Sequence, residues 1–262
     1  MKISCIGTGA MGGAIMRAVC KKYDVKDIKV TDKNPDLGKA FAAETGATFV
    51  NSNLEVLDAD YIFLAVKPQF LGDVFGEIAG KIPSSAVVIS MAAGVKVEKL
   101  ENWAPKVRFV RMMPNVCAQI GQAMTAISFK ENIKEAEANT VKDILSAAGK
   151  VEQVPEKLMD CVTAVSGSGP AFVFMFIEAL ADAAVRCGMP RAQAYTYAAQ
   201  TVYGSAGMVL ESGKHPAILK DMVCSPAGTT IEGVATLEKN NFRNAVIEAV
   251  TAACSKSAAL GK

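Results

Sequence analysis

The chain has 262 residues, of which 51% are hydrophobic and 21% charged, and its formal net charge is +2. That is an ordinary globular composition, long enough for one large or two modest buried cores. The near balance of charge leaves no basic surface for nucleic acid or an anionic membrane, so neither is expected as a partner.

Lys2 to Ile6 reads as a short buried strand, and Gly7-Thr8-Gly9-Ala10-Met11-Gly12 then gives G-x-G-x-x-G before an apolar, helix-like run from Ala14 to Val19. Each glycine has its own use. Gly7 allows a tight turn off the strand, Gly9 leaves room for a pyrophosphate to approach the backbone, and Gly12 lets the helix pack closely on the sheet. The helix N-terminus adds free N–H groups and a positive dipole end. A second strand follows at Ile28 to Thr31, and Asp32 stands at its end, about 20 residues past the glycines, where a carboxylate meets an adenosine ribose. A dinucleotide site is the expectation.

Further apolar runs at Thr48–Val50, Tyr61–Val66, Ala86–Ser90, Val107–Arg111, Ala123–Ser128 and Lys150–Gln153 alternate with helical stretches. The pattern predicts an α/β domain over residues 1–154, a largely parallel Rossmann-type sheet with helices on both faces. Ligands of such sheets bind beyond the carboxyl ends of the strands. There stand Lys67-Pro68-Gln69, Met91-Ala92-Ala93-Gly94-Val95 and Met112-Met113-Pro114-Asn115, small or rigid residues fit to line a cleft.

Beyond Pro155 the strand signal ends. Helices are expected from Ala171 to Arg186, from Pro190 to about Leu210, from Pro226 to Glu238 and from Phe242 to Leu260. They make residues 155–262 an all-α domain. The first of them carries Phe172, Phe174, Met175, Phe176 and Ile177 on more than one face, which predicts burial against a second copy of the chain. Seven scattered cysteines without C-x-x-C spacing argue against disulfides and zinc, and the single histidine, His215, makes a histidine metal site or triad improbable. His215 reads as a turn residue ahead of a helix. With no room for a signal peptide before the first strand, and no apolar stretch that reaches the roughly 18 residues a bilayer needs, the expected compartment is the cytoplasm.

Two stretches of the helical half look chemical. Thr163-Ala164-Val165-Ser166-Gly167-Ser168-Gly169-Pro170-Ala171 crowds serines and glycines ahead of a proline-started helix, with Ser168 as its cap. Ser225-Pro226-Ala227-Gly228-Thr229-Thr230 offers hydroxyls and free N–H groups, a socket for a small carboxylate.

Together with Ala65-Val66-Lys67-Pro68-Gln69, Ser90-Met91-Ala92-Ala93-Gly94, Arg111-Met112-Met113-Pro114-Asn115 and His215-Pro216 followed by Leu219-Lys220-Asp221, these motifs run over essentially the whole chain in order. The sequence resembles pyrroline-5-carboxylate reductase. The resemblance implies reduction of 1-pyrroline-5-carboxylate to L-proline by NADH or NADPH, the last step of proline synthesis. It implies an N-terminal Rossmann domain and a C-terminal helical domain that forms a homodimer, with dimers gathered into decamers. Gly7, Thr8, Gly9, Ala10, Met11 and Gly12 would hold the pyrophosphate. Asn53, Ala65, Val66, Lys67 and Pro68 would line the adenosine and ribose end, and Ala92, Ala93 and Gly94 the nicotinamide. Ser225, Gly228, Thr229 and Thr230 would take the substrate carboxylate, with Thr163 near the imine nitrogen as hydrogen-bond partner or proton relay.

A cyclic imine is basic enough to be protonated near neutral pH, so the absence of an obvious acid or base fits this reaction. Cys224 departs from the family, standing where many relatives carry serine. At the second strand's end Asp32 favours a ribose hydroxyl and Lys33 a 2′-phosphate, which leaves the coenzyme open with a lean to NADH. Three alternatives stand beside this reading. A beta-hydroxyacid dehydrogenase would need a lysine within the helical motifs, and none is there. An NAD(P)H sensor would show decayed motifs, and these are intact. A reductase of a related cyclic imine differs by one methylene, worth only about 1 to 3 kcal/mol.

Overall fold

The computed structural model describes residues 1–260, so Gly261 and Lys262 of the expected helical domain lie outside the described residues. Two compact units are present, one of Met1–Ser168 with residues 253–260 and one of Gly169–Ala252.

In the first unit, strands β1 (Ile3–Ile6), β2 (Ile28–Thr31), β3 (Thr48–Phe49), β4 (Tyr61–Leu64), β5 (Val87–Ser90), β6 (Arg108–Met113), β7 (Ala123–Phe129) and β8 (Gly149–Gln153) form one sheet in the order β3-β2-β1-β4-β5-β6-β7-β8. From β3 to β6 every pairing is parallel; β7 runs antiparallel to β6, and β8 lies parallel to β7. Every residue of β1, β4 and β5 is buried, which is why these strands read as continuous apolar runs. The edges differ: β3 is two residues long, and β8 exposes Lys150 and Glu152.

Helices α1 (Ala10–Lys22), α2 (Pro35–Thr45) and α5 (Glu135–Ser146) contribute to the core on one face, where Ile15, Met16, Phe41, Val141 and Ile144 join Ile3, Phe63 and Val110. On the other, α3 (Leu71–Ile78) and α4 (Val97–Trp103) join Ile62, Leu64, Val88 and Phe109. Phe75 stacks on Trp103 with ring centroids 5.2 Å apart and meets the Phe109 ring edge-on at 6.0 Å.

After β8 the chain turns helical through α6 (Met159–Val162) and a π-helical turn over Thr163–Gly167. The expected N-cap at Ser168 is absent: its backbone is already helical (φ −88°, ψ −29°), and its N–H bonds the Thr163 carbonyl five residues back, at 2.8 Å. Pro170 has no N–H to continue an α-helical ladder, and the wider turn precedes it. The second unit consists of α7 (Gly169–Arg186), α8 (Arg191–Ser212), α9 (Pro216–Val223), α10 (Thr229–Lys239) and the beginning of α11 (Phe242–Leu260), whose last residues belong to the first unit. Gly188 (φ +98°) and Gly213 (φ +64°) follow α7 and α8 in the left-handed region that stops a helix.

Two expectations are corrected here. The helix expected from Pro226 starts at Thr229, because Ala227 has φ +55° and the Gly228 N–H closes a turn onto the Ser225 carbonyl at 3.1 Å. The run Glu156–Arg186 is by length and composition apolar enough to cross a membrane, contrary to the expectation for any stretch. Averaged over 18 residues its hydropathy absorbs the charges that break a continuous apolar run. Within the second unit the buried apolar cluster among the described residues is Ala181, Ala194 and Ala198. Phe174, Met175, Tyr203, Leu210 and Ile247 are exposed in the single chain.

Candidate functional site

Because β2, β1, β4, β5 and β6 are neighbours and run parallel, the loops after them line one edge of the sheet in that order. The order reverses between β1 and β4, the place where such sheets open a crevice. Hydrogen bonds carry the ladder past the strands: Gly7 N–H donates to Thr31 O (2.8 Å), Ala65 N–H to Ile6 O (2.8 Å) and Met91 N–H to Leu64 O (3.1 Å).

The three glycines behave differently. Gly7 has φ +101°, and a Cβ there would lie 2.6 Å from Ala65 O. A Cβ at Gly12 would lie 2.3 Å from Gly7 O and 2.5 Å from Ala65 Cβ, so helix, turn and the loop after β4 close on one another. At Gly9 a Cβ would meet nothing within 4 Å. Gly9 is the extended N-cap of α1, without a side-chain cap, and the Gly13 N–H bonds its carbonyl at 2.7 Å. The N–H groups of Ala10, Met11 and Gly12 precede that bond, at the positive end of a 13-residue helix. This geometry fits a dinucleotide pyrophosphate. Cys5 Sγ donates to Gly7 O (3.2 Å); burial first and the Asp32 carboxylate second push its thiol pKa well above the ordinary range, so the donor proton stays on.

Thr8 is buried, and both its N–H (2.7 Å) and its hydroxyl (3.0 Å) donate to Asp32 Oδ2. Asp32 Oδ1 accepts the Asn34 N–H at 2.9 Å, and Asn34 Oδ1 in turn caps α2 by accepting the Asp36 N–H at 3.1 Å. Lys33 is exposed, with Nζ 5.3 Å from the centre of the Phe70 ring. Asn53 Nδ2 donates to Glu77 Oε2 (2.7 Å), which leaves its amide oxygen as the atom offered to a ligand. Ala65 and Val66 are half-buried after β4, with Lys67 and Pro68 exposed beyond them. After β5, Ala92 is buried, Ala93 exposed and Gly94 at φ +74°. Asn115 is buried, and its Oδ1 accepts the Met124 N–H at 3.4 Å, the contact of a turn brace.

Thr163 lies in the same unit. A Cβ at Gly167 would touch Met113 Sδ and Thr163 Cγ2, each at 3.8 Å, so the π-helical turn packs on the end of β6. Thr163 Oγ1 donates to Met159 O at 2.8 Å. Glu156 is the residue that the sequence reading missed. Its Oε1 accepts the Val97 N–H (2.8 Å) and the Nη1 of buried Arg111 (3.2 Å), tying β6 to the start of α4 and the chain after β8. Arg111 was legible only as part of R-M-M-P-N, and no local pattern marks a partner 45 residues away.

In the second unit, Ser225, Gly228, Thr229 and Thr230 are together at the start of α10. Gly228 is the N-cap, without a side-chain cap, and a Cβ there would lie 2.3 Å from Ser225 Oγ, so the hydroxyl occupies the space beside the cap. The N–H groups of Thr229 and Thr230 open the helix beside it. His215 Nδ1 accepts the Ala217 N–H at 3.2 Å, setting the turn into α9. Among the described residues no three His, Cys, Asp or Glu side chains gather as a metal site.

Comparison with known proteins adds independent observations. Residues 156–260 match the family described as "Pyrroline-5-carboxylate reductase dimerisation", and residues 2–94 match "NADP oxidoreductase coenzyme F420-dependent". The chain is 45% identical over 265 residues to pyrroline-5-carboxylate reductase of Escherichia coli, covering 100% of this chain and 98% of that one. It is 39% identical over 264 residues to the Arabidopsis thaliana enzyme, covering 100% and 96%. The crystal structure of Plasmodium falciparum pyrroline carboxylate reductase with NADP bound superposes with a TM-score of 0.90 at 33% identity, covering 100% and 98%. A pyrroline-5-carboxylate reductase from Coxiella burnetii gives 0.92 at 34%, with the same coverage.

Proposed function

The chain belongs to the pyrroline-5-carboxylate reductase family and reduces 1-pyrroline-5-carboxylate to L-proline with NAD(P)H, and from that premise we propose which of its residues carry the reaction. The open N-terminus of α1 behind Gly9 is the observation on which the assignment rests. Gly7, Thr8, Gly9, Ala10, Met11 and Gly12 hold the pyrophosphate. Asn53, Ala65, Val66, Lys67 and Pro68 line the adenosine side, with Asp32 and Lys33 at the end of β2. Ala92, Ala93 and Gly94 lie against the nicotinamide, which supplies the hydride when bound. Ser225, Gly228, Thr229 and Thr230 take the substrate carboxylate on hydroxyls and helix N–H groups.

Thr163 is the group we assign to the ring nitrogen. Because its hydroxyl proton is engaged by Met159 O, the oxygen offers lone pairs. It therefore suits the N–H of an already protonated imine. Hydride addition to the adjacent carbon converts that iminium to the neutral secondary amine, and no side chain has to deliver a proton in the step. The contribution is positioning, so Thr163→Ala should lower kcat by about tenfold and leave coenzyme affinity unchanged. Coenzyme oxidation followed by absorbance with 1-pyrroline-5-carboxylate, NADH and NADPH measures both. An unchanged kcat would remove Thr163 from the mechanism.

We assign residues 1–154 to coenzyme binding and 155–262 to substrate binding and dimerisation. The exposed apolar faces of α7, α8 and α11 support a homodimer, and dimers gathering into a decamer is the larger assembly we propose. Sedimentation separates two chains from ten. The free cysteines support the cytoplasm as compartment, and the modest net charge supports a protein without nucleic-acid or membrane partners.

A further inference from the structure

We propose that Asp32 is a positioning residue of the glycine turn, and that Lys33 with Phe70, not Asp32, sets the preference between unphosphorylated and 2′-phosphorylated coenzyme. This inference rests on the assignment of the dinucleotide site given above.

A carboxylate offers about four lone-pair sites. Here the Thr8 N–H and Thr8 hydroxyl take Oδ2, and the Asn34 N–H takes Oδ1. Hydrogen bonds to an ionised acceptor are the strong ones, and Thr8 is buried, so this arrangement resists displacement by a sugar hydroxyl that can hydrogen-bond water equally well. The carboxylate thus spends three of its roughly four acceptor sites inside the protein and keeps one on Oδ1. What it secures is Thr8, between Gly7 and Gly9, held to the end of β2 and through Asn34 to the start of α2. The carboxylate thus fixes the backbone that must meet a pyrophosphate.

The same donors offset its negative charge, which weakens its repulsion of a neighbouring phosphate. Lys33, the next residue, is exposed and has its ammonium over the face of Phe70, a half-exposed ring on the loop after β4. Since β2 and β4 flank β1, this pair draws together the loops on either side of the glycine turn. A cation–π contact at an exposed site is weak, so the ammonium is free to turn to a phosphate while the ring remains as a flat surface for adenine. These residues fit a 2′-phosphoadenosine, and the lean to NADH, drawn from Asp32 weighed against Lys33, turns toward NADPH.

The test is calorimetric titration with 5′-AMP and 2′,5′-ADP, which differ by the 2′-phosphate alone and report the adenosine end without turnover. Lys33→Ala should weaken 2′,5′-ADP by about tenfold, one lost charge-assisted contact, and shift 5′-AMP by less than about twofold. Asp32→Asn should weaken both nucleotides by the same factor. With Thr8→Ala added, the loss should grow by less than about twofold, because the two side chains act as one unit. Tighter 2′,5′-ADP with weaker 5′-AMP in Asp32→Asn would make Asp32 a ribose ligand and overturn the proposal. An unchanged ratio in Lys33→Ala would also overturn it, and that exposed variant decides the matter if Asp32→Asn does not fold. If the unaltered chain binds neither nucleotide, it is the dinucleotide site itself that fails.

Discussion

A methyl group added at Gly9 would meet empty space, whereas at Gly7 or Gly12 it would run into backbone. The three positions therefore separate folding from binding. Gly7→Ala and Gly12→Ala should each cost about 3 kcal/mol of stability, through a forbidden φ at the first and a collision at both. Gly9→Ala should leave the thermal midpoint in place and weaken coenzyme binding by tenfold or more, because the added carbon stands where the pyrophosphate approaches. Thermal unfolding and coenzyme titration of the three variants check this. A Gly9→Ala protein that unfolds early would show that the glycine serves packing instead. These roles were legible in the sequence because the spacing of G-x-G-x-x-G encodes them. The partners of Asp32 were not: Thr8 is 24 residues away, and only the fold brings its N–H to the carboxylate.

Among the elements, the strands were readable to within one or two residues. A parallel sheet buried on both faces demands apolar runs, and β2 begins and ends where its run does. The π-helical turn at Thr163–Gly167 was not readable. Its serines and glycines suggest a capped loop, and nothing in their composition records a bond five residues back. Similarly, Pro226 invites a helix start that the left-handed Ala227 forbids. One pairing of elements has a pH signature. Lys22, near the end of α1, donates to Asp143 Oδ1 on α5 at 2.6 Å, and Tyr23 donates to Oδ2. The Lys22 bond, then the Tyr23 bond, hold the Asp143 carboxyl below its usual range, with burial opposing. A carboxyl lowered in the folded state stabilises fully above its unfolded value, near pH 4, and loses that contribution as the pH falls through the folded value. Asp143→Asn should then cost up to about 1 kcal/mol at pH 7, the exposed setting screening the pair. The gap between the two proteins should close below about pH 4. Urea unfolding across pH measures it, and a constant gap would discard the linkage.

At the scale of the whole molecule, the second unit is short of a core of its own. Its buried apolar cluster is three alanines, while Phe174 is 59% and Met175 69% exposed in the single chain. In a dimerisation domain that surface is the other half of the core. Stability should then depend on protein concentration, the thermal midpoint rising about 3 °C for each tenfold increase. Scans from micromolar to hundreds of micromolar test it, and a midpoint indifferent to concentration would mean that the helices hold together without a partner.

The two ends of the sheet bear on how the protein behaves when crowded. An exposed strand edge is a template on which another chain can add a strand, and long flat edges lead to fibres and precipitates. Here one edge, β3, is only two residues long, and the other, β8, carries exposed charges. Neither offers a stranger a run of backbone to zip onto. Association by strand addition is thereby blunted, and a preparation that clouds on storage is best treated by securing the dimer, not by redesigning the sheet.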